Sequence, residues 1–281
     1  MINIINEFQR YCNNKYLGSP YHNSYIQPPY GVKDTLFTIA GVQHYEHIYS
    51  NGRSPALTVS VQACLRFNDF DELDKPFKSL YFNMLGLFSF KHWTMQQVID
   101  FWMDFFKVLQ IKPDYVTIHP DKAEWTEFYK KHDLVIKFDY DCIWSNGSLT
   151  GYCTEFYKEG LEIGNIVSPT PDGFDCGFGA ERLDAVVNHP TPPSKLDKLK
   201  MAAQAIRDSG YTATANKQGY CLRKLCREII KLGGSMDTTF FQDEVTRQAR
   251  VLENYNKLKD ANAHQTKEWW WSTHGIDIDL I

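Results

Sequence analysis

Cys64-Leu-Arg66-Phe-Asn-Asp69, followed by Tyr81-Phe-Asn-Met-Leu-Gly-Leu-Phe-Ser-Phe90, reads as a strand that carries an arginine into a polar turn and a second strand that returns. A guanidinium at the end of such a hairpin is planar, permanently charged and forked, so it suits a phosphate or a carboxylate. A solvated or ion-paired surface arginine is the plainer alternative. Two other stretches stand out. In Asp175-Cys-Gly-Phe-Gly-Ala-Glu-Arg182-Leu, two glycines permit close backbone approach to a ligand, and Arg182 opens a helix. The stretch lacks the third glycine of a dinucleotide fingerprint, and a strand-to-helix turn with an ion-paired Glu-Arg remains open. Cys142-Ile-Trp144, Cys153-Thr-Glu155-Phe-Tyr157 and Glu162-Ile-Gly-Asn165-Ile-Val167 form the third group. A glutamate buried on a strand is costly unless paired or metal-bound, which makes Glu155 a candidate unless it faces outward.

Outward from these stretches, Leu57–Gln62 and Tyr115–His119 alternate as strands, and Thr94 caps a helix running to Phe106. The prolines of His189-Pro-Thr-Pro-Pro-Ser194 mark a seam. Beyond it the period becomes helical over 196–207, 220–232 and 239–259, with Gly233-Gly234 as a stop. The expected organisation is an α+β body over 1–190 and a small all-helical domain over 191–281.

At 281 residues with 43% hydrophobic and 15% aromatic content, the chain can bury a sizeable core. A net charge of −4 gives no global footprint for nucleic acid. Seven cysteines, an odd number without a C-x-x-C pair, favour a reducing compartment. The N-terminus lacks a signal-peptide pattern and no stretch has the length of a transmembrane helix, so no membrane partner and a cytoplasmic location are expected.

The quoted segments also carry a resemblance. The region around Arg66 is similar to the second signature motif of class II aminoacyl-tRNA synthetases, and Phe82–Phe90 resembles the F-E-M-L-G-N-F-S-F run of alanyl-tRNA synthetases. Gly177-Phe-Gly-Ala-Glu-Arg182 resembles the third motif, G-x-G-x-E-R. Asp34–Gln43, Cys153–Tyr157, Glu162–Val167, Asn216–Arg227 and the 271–280 stretch resemble further segments of the alanyl family, in the family's order. A compact homologue with catalytic core and helical domain is the expectation.

The resemblance implies a class II synthetase-like antiparallel sheet flanked by helices, followed by a helical tRNA-binding domain. It implies ATP and Mg²⁺ as cofactors, and activation of a small amino acid, alanine by likeness, to aminoacyl-AMP. By position, Arg66 grips the α-phosphate and the amino acid carboxylate, and Arg182 lies against ATP; these are the expected catalytic residues. Phe82 stacks on adenine and Glu155 supports the ATP–Mg²⁺ site, with no all-protein metal cage expected. Asp175 pairs with the substrate ammonium, while Trp144 and Val167 wall the side-chain pocket. On the helix over 220–232, Arg223, Lys224, Arg227 and Lys231 would share one broad face against phosphates of a tRNA acceptor stem.

Several positions depart from the family. The motif-2 connection reads as shortened to Phe67-Asn-Asp69, without a counterpart for the family's lysine. Arg-His-His-Thr becomes Phe77-Lys-Ser-Leu80, the tryptophan of E-I-W-N becomes Gly164, which could open space, and an acid near the C-terminus becomes Ser272. Without an editing signature, discrimination by one methylene is worth only about 1–3 kcal/mol, which suits a specialised role. Transfer to tRNA is the leading expectation. A paralogue that acylates a carrier protein, small molecule or peptide is the second, and an inactive tRNA-binding protein the third.

Overall fold

A computed structural model describes residues 1–281 except 33–34, 51–53, 146, 148, 275, 277 and 279–281, and the side chains of 50 and 271. The family-like segments that begin at Asp34 and end at Leu280 therefore lie partly outside the described residues. The chain divides into two compact units, one of residues 1–69 and 75–192, the other of residues 70–74 and 193–281.

The first unit is built on nine strands among the described residues: β1 (Tyr21–Asn23), β2 (Ala56–Leu65), β3 (Tyr81–Phe90), β4 (Tyr115–Ile118), β5 (Val135–Phe138), β6 (Ile143–Ser145), β7 (Thr150–Lys158), β8 (Leu161–Thr170) and β9 (Gly173–Gly179). Their order is β1-β2-β3-β9-β8-β7-β4-β5, with β6 added to β7. Every pair at the centre is antiparallel; β1–β2 and β4–β5, at the two ends, are parallel. The expected antiparallel sheet is thus a mixed one.

Helices α1 (Ile4–Asn14), α2 (Glu46–Ser50), α3 (Met95–Val108), α4 (Thr126–Tyr129) and α5 (Ala180–Asn188) accompany the sheet. Helix α3 starts where the sequence says: the Thr94 hydroxyl accepts from Gln97 N at 3.3 Å, and Gln97 Oε1 accepts from Thr94 N at 2.8 Å. That reciprocal capping box satisfies two otherwise orphaned donors. Residues of α1, α3 and α5 share one core with the inner positions of the strands: Phe8, Trp102 and Leu183 join Val61, Leu85, Phe156 and Phe178. Phe8 stacks on Trp102 at 5.6 Å, and Trp102 packs on Phe178 at 4.0 Å. Because side chains alternate along a strand, covering this face leaves the other face of β3, β7 and β9 for polar work.

The second unit contains α6 (Lys195–Asp208), α7 (Lys217–Lys231), α8 (Thr239–Leu258) and α9 (Lys267–His274). Ser194, behind the prolines, caps α6 by accepting from Asp197 N at 3.1 Å. Most apolar positions read from the helical period are buried, among them Leu199, Ala203, Leu222, Leu225 and Ile229, while Leu196 and Ile230 are partly exposed. After α7, Gly233 takes the left-handed φ of 71° that ends the helix without a Cβ penalty. The segment 70–74 belongs to this unit: Leu73 is buried, and its carbonyl accepts from the Lys198 ammonium at 2.9 Å.

Candidate active site

Alternation assembles the site. On β9, Phe174, Cys176 and Phe178 enter the core, so Asp175, Gly177 and Gly179 face the opposite way. On β3, Leu85 and Leu87 point to the core and Phe82 and Met84 away from it. Together these positions border a cavity of about 270 Å³ that Arg66, Phe82, Trp144, Glu155, Asp175 and Arg182 all line. Six of the seven residues expected in the catalytic body therefore meet at one place. Val167 does not line the cavity; it is buried with Cys142 and Cys153, where Trp144 packs against the cluster. It is the cross-strand neighbour of Asp175 and shares its face of the sheet.

Arg66 follows the last residue of β2. Its backbone N donates to Leu80 O at 2.8 Å, and its Nε donates to Ile39 O at 2.9 Å. The guanidinium lies 5.0 Å from the centroid of Phe82, so one cation–π contact and one hydrogen bond orient the fork. The connection from Arg66 runs to Leu80 rather than through three residues, and only then does β3 begin. This corrects the reading of a loop shortened to 67–69. The polar run 67–72 is a 3₁₀ turn, with further chain beyond it. The longer connection brings Lys78 to the cavity wall, a third cation that the sequence did not single out. Its signal was present in Phe77-Lys-Ser-Leu80.

Arg182 sits in the first turn of α5. It donates to the Glu162 carboxylate at 2.7 Å and to the Glu162 carbonyl at 2.9 Å. The plainer alternative of an ion-paired Glu181 and Arg182 gives way to two separate partnerships, because successive helix positions face different directions. Glu181 instead accepts from Asn83 N at 3.0 Å and from Asn83 Nδ2 at 2.9 Å. Burial pushes the Glu181 carboxyl up, and the Asn83 donors oppose that rise.

The acids are the most unusual feature. Asp175 is 7% exposed, and its carboxylate makes no hydrogen bond or ion pair among the described residues. Burial raises its pKa to about 7, with the nearby Glu46 adding to the rise. Glu155 is half-buried; it accepts from Tyr157 Oη at 2.7 Å and Thr117 Oγ1 at 3.5 Å. Burial raises its pKa too, opposed by the Tyr157 hydrogen bond.

Gly164 lines the cavity but adds no room to it. A Cβ there would come 2.3 Å from Phe178 Cδ1 and 2.6 Å from Gly177 O. Phe178 already fills the space that a side chain at 164 would need, which overturns the expectation that Gly164 opens the pocket. Asn165, quoted in the sequence without a role, also borders the cavity.

In the helical unit the four expected cations do not form one solvated face. Glu244 of α8 is 0% exposed, and Arg223 Nε donates to it at 3.3 Å, with Arg247 a second partner. Arg227 is 7% exposed, its guanidinium 5.6 Å from the Tyr220 centroid. Lys224 lies 4.3 Å over the Phe70 ring, and Lys231 is exposed. A buried carboxylate must be neutralised, and that requirement draws arginine inward.

A family model described as tRNA synthetases class II (A) matches residues 19–189, well over half of the chain. The chain belongs to this family. Class II tRNA synthetases of this group are aminoacyl-tRNA-forming ligases, and every residue that lines the cavity falls within the matched region. Among curated relatives, the chain is 26% identical to an alanine–tRNA ligase of Francisella tularensis subsp. tularensis strain WY96-3418, over 91% of this chain and 38% of that protein. It is 25% identical to an alanine–tRNA ligase of Francisella philomiragia, with the same coverage. The chain thus spans 38% of the length of these relatives. Among solved structures, apo Staphylococcus aureus histidyl-tRNA synthetase matches with a TM-score of 0.43 and 10% identity, covering 83% of each chain. No helix among the described residues of this class II synthetase is long and apolar enough to cross a membrane.

Proposed function

We propose that this class II synthetase activates a small amino acid, alanine by its relatives, with ATP and passes the aminoacyl group to tRNA. The observation that carries the reading is Asp175: a buried carboxylate without a cationic partner, in one cavity with Arg66, Lys78 and Arg182. A zwitterionic amino acid supplies the missing ammonium, and ATP supplies phosphates for the cations.

In the first step a substrate carboxylate oxygen attacks the α-phosphorus. A P–O bond forms, the bond to pyrophosphate breaks, and pyrophosphate leaves with the electron pair. Asp175 fixes the ammonium, Arg66 bridges carboxylate and α-phosphate, and Arg182 and Lys78 face the remaining phosphate charge. Phe82, already under a guanidinium, offers a ring for the adenine, and Trp144 closes the side-chain end. The carboxylates of Glu155 and Glu162 beside these cations fit a Mg²⁺ carried mainly by phosphate oxygens, which would neutralise charge on the leaving group. In the second step an acceptor hydroxyl attacks the acyl carbon and AMP leaves.

The test is ATP–pyrophosphate exchange across the amino acids, then acyl transfer to total tRNA. Exchange with alanine, reduced by orders of magnitude in Arg66→Ala and Arg182→Ala, supports the reading. Absence of exchange with every amino acid overturns it. Arg223 and Arg227 are drawn into the helical unit's interior, and that observation favours the second reading, transfer to a carrier protein or small molecule. Exchange without tRNA charging would select it.

A further inference from the structure

We propose that Cys142, Cys153 and Glu155 form a binding site for a thiophilic divalent cation, zinc above all, set into the wall of the cavity. The inference does not depend on the adenylation reading. One ligand atom from each residue, two thiol sulfurs and a carboxylate oxygen, lies within 4.8 Å of the others. Tetrahedral zinc with sulfur at about 2.3 Å and oxygen at about 2.1 Å holds its ligands roughly 3.5–4 Å apart, within about an ångström of the spread observed here.

Strand geometry places the three donors. Cys153 and Glu155 are two apart on β7 and so share a face. Cys142 immediately precedes β6, and its carbonyl accepts from Cys153 N at 2.9 Å, which holds the two cysteines side by side. Thr117 of β4, paired in register with Glu155, donates to that carboxylate at 3.5 Å; its hydroxyl accepts from Cys142 Sγ at 3.0 Å. The hydroxyl thus stands between thiol and carboxylate, as a small polar group would at the rim of an ion site.

Two further observations point to a cation. Glu155 is partnered only by the hydroxyls of Tyr157 and Thr117, with no lysine or arginine on it among the described residues. Both thiols are at most 1% exposed, yet the half-buried Glu155 borders the cavity, so the set has one polar opening. Two thiolates beside a carboxylate select zinc over magnesium, which takes oxygen ligands. Three protein donors leave the fourth position to a water or to a Lewis base arriving through the cavity. One oxygen of Glu155 suffices for the ion, and the other remains with the cavity.

Cobalt(II) substitution of the full chain, stripped of metal and kept reduced, tests the site. We expect one equivalent of Co²⁺ to give thiolate-to-cobalt charge transfer with the strong visible bands of a tetrahedral ion, and one equivalent of Zn²⁺ to bleach them. Cys142→Ser and Cys153→Ser should abolish the charge transfer, Glu155→Gln should weaken binding at least tenfold, and Cys221→Ser, in the helical unit, should leave it intact. Against the risk that the variants misfold, Zn²⁺ should protect Cys142 and Cys153 of the unmodified protein from alkylation in peptide mapping. Absence of charge transfer, equal alkylation with and without Zn²⁺, or a Cys142–Cys153 disulfide in the freshly purified protein would each overturn the proposal.

Discussion

Arg182 holds Glu162 at two points, the carboxylate at 2.7 Å and the backbone carbonyl at 2.9 Å. The guanidinium is therefore oriented by the protein alone, as the proposed phosphate contact would require. Both side chains are partly exposed, so the pair itself contributes at most about 1 kcal/mol to stability. Its worth lies in position. Glu162→Ala should raise the KM for ATP in pyrophosphate exchange about tenfold, equivalent to roughly 1.4 kcal/mol, while thermal unfolding hardly changes. An unchanged KM would remove Glu162 from the site.

Under the proposed function, Asp175 should tie amino acid affinity as well as stability to pH. Its carboxyl titrates near 7 in the folded protein because burial and Glu46 disfavour the charge, with Tyr49 and Cys176 also close by. An ammonium ligand favours that charge, so amino acid affinity should rise between pH 6 and 8 and binding should release a proton, measurable by calorimetry in buffers of different ionisation enthalpy. For folding the sign is opposite. A carboxyl whose pKa is raised by folding contributes stability below its unfolded pKa near 4, and that stability is lost as pH rises through 7. Asp175→Asn should therefore be more stable than the parent at pH 8, by up to about 4 kcal/mol in chemical denaturation, and match it near pH 4. The same variant should lose amino acid binding and keep ATP. Parallel stability curves across pH would refute the assignment.

Restoring bulk at 164 should fail. The added Cβ meets Phe178, which is locked against Trp102 at 4.0 Å and Phe156 at 5.4 Å. Gly164→Ala should cost about 1–3 kcal/mol, the usual penalty for overfilling a packed core, with no gain in amino acid discrimination. Chemical denaturation measures the first, and exchange with alanine against glycine and serine the second.

The helical unit separates two kinds of cation. Arg227→Glu puts a carboxylate at a buried position against Tyr220 and should destabilise this unit by several kcal/mol. Lys231→Glu alters an exposed position and should leave unfolding unchanged. If α7 meets RNA, Lys231→Glu should also reduce the slope of log affinity against log salt by about one. Denaturation with a salt series of tRNA binding distinguishes the two.

Local signals carried most of the fold from the sequence. Thr94 with Gln97, the prolines before Ser194 and Gly233 each act within a few residues, so caps and breaks could be read directly. The site residues could be named together only through the family resemblance; the alternation along 173–179 that turns Asp175 away from Phe174 and Cys176 explains why the structure can present it to the cavity. Partner choice was not legible. Nothing in the α7 sequence says that Glu244, seventeen residues beyond Arg227, will be fully buried and draw Arg223 inward. Lys78 was hidden for a related reason, since its place depends on how a whole connection folds back. Val167 was placed by resemblance alone, which could not show that it packs with Cys142, Cys153 and Trp144 and does not line the cavity.

The five residues 70–74 leave the chain of the first unit to complete the second, Leu73 filling its interior and meeting the Lys198 ammonium. Chain continuity and compact unit therefore do not coincide. A protease cut in the proline seam would sever the backbone without releasing a finished helical fragment, because the N-terminal piece keeps the plug the other piece needs. A fragment begun at residue 193 would carry an open apolar socket, and a peptide copying 70–74 would be its natural complement.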